Sequence, residues 1–519
     1  MKRVPPRGRT PTAVTELIWK AADKLRGGMD AAEYKHVVLG LLYLRYLSAE
    51  FEEFRRQLGD DFVDDPDAYT TEGLRWIPPA ARWGPLGEKM REPGCHAGEA
   101  LDDALRAVMW SNRDLDNVFP DGLGLAGRVD DERILELFAL FGDERTLGRG
   151  VGAAPDGVGE LYEYFLHYLD EFARAEGKRG GEFHTPNSVA RLLVEILEPH
   201  EGRVYDPCCG AGGLLVQARW FVEAHRGREH AEGLQVYGQE INQRTWQLAK
   251  MNLDLHGMAS SGIGHRWADT FAEDRLQGLK ADFVMAVPPF NISDWARDEF
   301  DPRWWYGVPP ARNANFAWLQ HVISKLSDCG SAGVVLANGS LSSRQLGEDR
   351  IRASMVEDDL VACMIALPDR LFRSTSIPAC VWFLTKDKSS QGVRGLADRR
   401  GEVLFIDARA MGQMVGRAER VLSAVDLRAV VGTYRAWRGT ETLQEYRDVT
   451  GFCRSVRLDE IREHRHVLNP GRYVGSVDIS EEQRRSPIQE RADELTRELL
   501  ALLDAADRTE AEIRKHLGT

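Results

Sequence analysis

Cysteine is scarce: there are 7 in 519 residues, and no two stand at a CxxC spacing. The one close pair, Cys208 and Cys209, is adjacent in the chain. That argues against a zinc ribbon and against a disulfide framework, so free thiols in a cytoplasmic protein are expected, with no metal site. Long apolar runs are missing too. Nothing approaches the roughly 18 residues of a membrane span, and no apolar stretch follows the basic start MKRVPPRGRT. Neither a membrane segment nor a signal peptide is expected. Positive charge is in deficit: 67 Lys and Arg against 81 Asp and Glu leave a net −14. A protein that grips nucleic acid through its own surface is more often basic. If this one meets DNA, a partner is expected to supply much of the hold.

The apolar share, 43%, supports real cores, and the length allows two to four domains. Three regions emerge. Residues 1–150 read as a helical domain, with Tyr34, Val37, Val38, Leu41, Tyr43 and Leu44 forming one apolar face. The stretch from Gly59 to Gly98 is rich in Pro, Gly and Trp and reads as loop. Residues 151–410 alternate short apolar runs with helical patterns, the signature of a doubly wound, Rossmann-like α/β sheet. Strands are expected at 203–208, 234–240, 281–287, 333–337, 361–367 and 380–385. Residues 411–519 return to helical patterns. There Ile488, Leu495 and Leu502 recur every seven residues, suiting a last helix that pairs with another.

In such sheets ligands bind beyond the carboxyl ends of the strands. VYDPCCGAGGLL follows the first strand, placing Asp206 at its end and Gly210, Gly212 and Gly213 in the turn. The glycines allow a tight backbone and a close ligand. The spacing is not GxGxxG, so a dinucleotide fold with oxidoreductase chemistry is a weak reading. An acid ahead of a glycine turn suits a cationic amine instead. Glu240 ends the next strand, placed to accept both hydroxyls of a ribose. Asp269, in WADTF, can accept from an adenine amino group, with Phe271 as a nearby apolar face. Amine, ribose and adenine together describe S-adenosylmethionine. Upstream, GKRGGEFHTP sets Glu182, Phe183 and Thr185 before a helix, where they can close over the methionine end.

These stretches, with GQEINQRTWQLAKMNL, GVPPARNANFAWLQH and GVVLANGSLSS, resemble the methylation subunits of type I restriction-modification systems over nearly the whole chain. That family methylates adenine N6. The resemblance implies a cofactor lid at GEFHTP (where the family has Tyr in place of His184), a cofactor loop at DPCCGAGG and a ribose acid at Glu240. It also implies DNA as substrate, a separate specificity subunit that reads the site, and a restriction subunit in the full complex. The tail from Ile488 to Leu517 would suit docking on helices of the specificity subunit.

One departure stands out. The family's target-base loop reads Asn-Pro-Pro-Phe, and here the sequence is Val287-Pro288-Pro289-Phe290. In the family the aromatic stacks on an everted adenine. The Asn oxygen and the first proline's carbonyl hold the N6 amine in a near-attack arrangement. Valine has no acceptor. Neither Asn291 nor Ser293 is an obvious substitute, because both follow the aromatic. The sequence therefore supports two readings: a methyltransferase subunit, and a silent scaffold that binds cofactor and DNA.

Overall fold

The computed structural model describes residues 20–25, 28–59, 62–119, 122–142, 162, 166, 185–372, 375, 377–390, 396–415, 419–440 and 445–475. Glu182, Phe183 and the heptad-spaced tail lie outside these residues.

The N-terminal region is helical, built on α1 (Ala31–Arg55), α2 (Ala97–Ser111) and α3 (Asp131–Gly142). The apolar face expected of α1 is buried at every named position. Between Gly59 and Gly98 the expected loop is interrupted by short helices, Pro66–Thr71 and Trp83–Lys89. Asp65 caps the first by accepting from the Asp67 amide at 3.0 Å, with Pro66 at the first helical position.

The rest is an α/β layer: α4 (Asn187–Leu197), β1 (Arg203–Asp206), α5 (Gly213–Arg226), β2 (Gln235–Gly238), α6 (Gln243–Leu255), β3 (Ala281–Ala286), α7 (Asn315–Lys325), β4 (Leu326–Ala337), α8 (Glu348–Glu357), β5 (Val361–Ala366), β6 (Ala379–Thr385), β7 (Glu402–Asp407), a small β8 (Gln413–Val415) and β9 (Glu419–Val421) ribbon, α9 (Ala424–Arg438) and β10 (Cys453–Arg457). Eight strands form one sheet in the order β10-β7-β5-β6-β4-β3-β1-β2. The six expected strands are all present. Two more, β7 and β10, join beyond them.

The sheet is mixed rather than wholly parallel. β6 runs antiparallel to both β4 and β5, and β10 runs antiparallel to β7. β10 belongs to this same sheet, so the sheet extends past residue 410. The reason is legible in β10: CRSVR is an edge strand with alternating polar positions, too short and too charged to stand out as an apolar run. α9 is started by a capping box between Ser423 and Asp426, and Arg435 ties it to Glu195 of α4 at 2.9 Å.

The helical region and the sheet meet on α6. Leu248, Met251 and Leu255 of α6 are buried in the N-terminal core. Asp254 accepts from Tyr43 at 2.6 Å and pairs with Arg75 at 2.5 Å. One helix thus packs on the sheet and also closes the neighbouring core.

Candidate active site

β2 lies on one side of β1 and β3 on the other, so the direction of sheet growth reverses at β1. That crevice is where open α/β sheets bind ligands. Asp206, Glu240 and the proline loop all emerge there.

Asp206 is 1% exposed, and its Oδ1 accepts from the Cys208 amide at 3.0 Å. Burial, with the nearby Glu240 carboxylate, pushes its pKa up to about 7. Glu240 is likewise raised by burial. Glu240 accepts from the Gly210 amide at 3.0 Å through one oxygen and from Asn242 at 2.8 Å through the other. It therefore holds the glycine turn as well as facing the crevice, and a carboxylate with four lone-pair sites can do both. The Glu240 carbonyl accepts from the Ala268 amide at 2.8 Å, drawing the Asp269 segment onto the same edge. Asp269 Oδ1 accepts from Phe271 at 2.8 Å. The structure thus brings the three acids together.

Gly210 and Gly212 take φ of +55° and +84°, a region costly for any side chain. A Cβ at Gly210 or Gly213 would meet nothing within 4 Å, so the turn borders open space. The turn is braced from below by Asn252 of α6, fully buried, which donates to the Ala211 carbonyl at 2.8 Å. Asn252→Ala removes that donor and leaves the carbonyl unsatisfied, at a cost of about 1–3 kcal/mol. Denaturant titration checks the stability. Because the lost bond lies in the turn, cofactor affinity by calorimetry is expected to fall with it; unchanged affinity would mean that the brace does not position the turn.

Thr185 is half-buried just ahead of α4, which packs against α5. Phe271 departs from expectation. It is 6% exposed, and its ring is engaged by Trp318 (centroids 4.3 Å apart) and Trp295 (4.9 Å). Its faces are used in an aromatic cluster and are not offered to a ligand. That cluster is steadied by a network the sequence did not suggest. Arg303, which can only donate, reaches His321 Nδ1 at 3.0 Å. Burial and the Arg303 charge hold His321 neutral, leaving its Nε2 proton for the Tyr205 hydroxyl at 3.0 Å.

Val287 is 8% exposed and packs within the main apolar cluster of the sheet. Pro288 is buried, while Pro289 and Phe290 are partly exposed. Phe290 meets Phe372 edge to face, with centroids 5.4 Å apart. Asn291 adopts φ +54°, and its Oδ1 accepts from Asn315 at 2.9 Å and from Asn313 at 3.3 Å. Its acceptor is therefore spent on anchoring the loop to the start of α7. Ser293 Oγ lies 3.4 Å from Asp294. The paired asparagines two residues apart ahead of a helix are the signal that could have revealed this anchor.

The comparisons with known proteins agree with one another. The N-6 DNA Methylase family matches residues 153–482, and the HsdM N-terminal domain matches 14–141. The chain is similar to the HindI type I methylase subunit of Haemophilus influenzae, 41% identical over 85% of this chain and 99% of that protein. It is 33% identical to the MjaIX methylase subunit of Methanocaldococcus jannaschii, over 96% and 90% respectively. A type I restriction-modification methyltransferase subunit from Streptococcus thermophilus superposes with a TM-score of 0.74 at 26% identity, covering 90% of this chain and all of that one.

Proposed function

Since the chain belongs to the methylation subunits of type I restriction-modification systems, adenine-specific DNA methyltransferases, we propose that it holds S-adenosylmethionine in the crevice between β1 and β3 and presents an everted adenine to it. The observation that carries this reading is the joining of Asp206, Glu240 and Asp269 around an open glycine turn beside Pro288-Pro289-Phe290. Asp206 is buried and Glu240 half-buried, both with pKa values raised by burial; neither has a cationic partner among the described residues, and a ligand ammonium would satisfy them. Asp206 takes the amine, Glu240 the ribose and Asp269 the adenine amino group, with Gly210 and Gly212 giving the backbone room. Glu182, Phe183 and Thr185 cover the methionine end. The bound cofactor supplies the electrophilic methyl group. Phe290 stacks on the target base and the Pro288 carbonyl accepts from its N6 amine.

DNA, a specificity subunit and a restriction subunit are the proposed partners, with residues 1–150 helping to close over DNA and residues 411–519 carrying the docking tail. The net charge of −14 supports a division of labour in which the partner reads the site. Among the described residues no helix is long and apolar enough to cross a membrane.

Val287 favours a second reading, a subunit that binds cofactor and DNA without transferring methyl groups. One experiment addresses both. The chain is copurified with its specificity subunit and given labelled S-adenosylmethionine and unmodified bacterial genomic DNA. Slow N6-methyladenine formation is expected, dependent on the specificity subunit, and removal of residues 480–519 is expected to abolish copurification. Cofactor binding without any transfer would favour the scaffold. Absence of cofactor heat from the folded complex would remove the proposal.

A further inference from the structure

The loss of an acceptor at residue 287 raises the question of which oxygen faces the target amine instead. β3 and β4 are parallel neighbours, with Ala286 opposite Val334. Asn338 follows β4 at the same carboxyl edge at which the loop to Phe290 follows β3. Asn338 is seated by its backbone, whose amide donates to the Pro378 carbonyl at 2.9 Å, just ahead of β6. The turn behind it is locked. Ser340 Oγ donates to the Ala337 carbonyl at 2.9 Å and receives the Trp382 indole N–H at 3.0 Å. Arg352, 1% exposed, donates to the Ser343 carbonyl at 2.8 Å and to the His466 carbonyl at 2.8 Å.

Within this rigid frame the Asn338 side-chain oxygen is shut off from solvent and accepts no hydrogen bond from any described residue. A buried amide oxygen left without a donor costs about 1–3 kcal/mol and calls for an explanation. Asn291, just past Phe290, already has two donors on its oxygen. We propose that Asn338 is a target-base residue, whose half-buried side-chain amide turns so that its oxygen accepts from the adenine N6 amine in place of the absent residue-287 acceptor. An asparagine amide suits adenine because it pairs an acceptor with a donor, matching the amine and an adjacent ring nitrogen. The inference rests on the methyltransferase reading above.

The test uses the full complex with its specificity subunit, labelled S-adenosylmethionine and unmodified genomic DNA, in four forms: wild type, Asn338→Ala, Val287→Asn and the double variant. Asn338→Ala is expected to slow single-turnover methylation by about tenfold, the size of one lost hydrogen bond, with cofactor affinity unchanged. In the Val287→Asn background the same change is expected to cost less than about twofold, because the family's acceptor is back. Equal rates for wild type and Asn338→Ala would overturn the proposal, as would the same loss in both backgrounds. A silent wild type beside an active Val287→Asn would also overturn it while leaving the methyltransferase reading intact. Failure of all four forms to bind cofactor would take down that reading as well.

Discussion

Val287→Asn is expected to raise the single-turnover rate of adenine methylation by about 10²-fold, the usual worth of one preorganised polar contact to a transition state. The backbone for that contact is already in place. Two prolines fix the loop, Asn291 pins its far end to Asn315, and Phe290 is held against Phe372. What position 287 itself lacks is an acceptor. The gain is expected in the rate and not in cofactor affinity, since residue 287 is not among the acids and glycines of the crevice. It carries a stability cost. Val287 is 8% exposed among apolar neighbours, and an amide there loses about 1–3 kcal/mol until a base satisfies it. A lower melting temperature with a faster transfer is therefore the expected pair of outcomes. An unchanged rate would mean that the loop geometry, rather than the missing acceptor, limits the reaction.

Much of this site was legible because its chemistry sits at strand ends, where sequence order and spatial position coincide. Asp206, Glu240 and the proline loop each follow an apolar run directly, and a sheet with its switch point at β1 gathers them. What escaped notice depends on contacts between distant segments. The spacing of Phe271 from Asp269 suggested a free apolar face, but Trp295 and Trp318 fill it from over twenty residues away. Arg303, His321 and Tyr205 form a network that no local pattern encodes. β7 and β10 are hard to read in the sequence for a different reason. A four-residue apolar run, VLFI, can belong to a strand or a helix, and an edge strand rich in arginine has no apolar run at all. The antiparallel course of β6 was equally hidden, because a strand's direction is set by its partners and not by its composition.

Asp206→Asn is expected to weaken S-adenosylmethionine binding by about 10²-fold, since hydrogen bonds to a charged group are worth about 1.5–3 kcal/mol each. The same change is expected to stabilise the cofactor-free protein above neutral pH. The sign follows from where the proton sits. Burial raises the Asp206 pKa from 3.8 to about 7. Between those values the folded state holds a proton that the unfolded state has released, so stability falls as pH rises. The stabilisation is complete below about 4 and gone above about 7, a change of roughly 4 kcal/mol at 1.36 kcal/mol per unit. An asparagine cannot ionise, so it escapes this loss while keeping an oxygen for the Cys208 amide. The ionised carboxylate is the form that pairs with an ammonium, so wild-type affinity is expected to rise up to about tenfold per pH unit towards 7 and then level. The variant should lack the Asp206 part of that rise, with Glu240 contributing whatever remains. Calorimetry at several pH values, with melting curves on the same samples, measures both limbs. A variant that binds normally, or that melts lower than wild type at pH 8, would show that Asp206 is a structural acid and not the cofactor's counter-ion. An active site that stores an uncompensated charge until its ligand arrives must be less stable alone than a neutral copy of itself, and the proposed function puts that trade at Asp206.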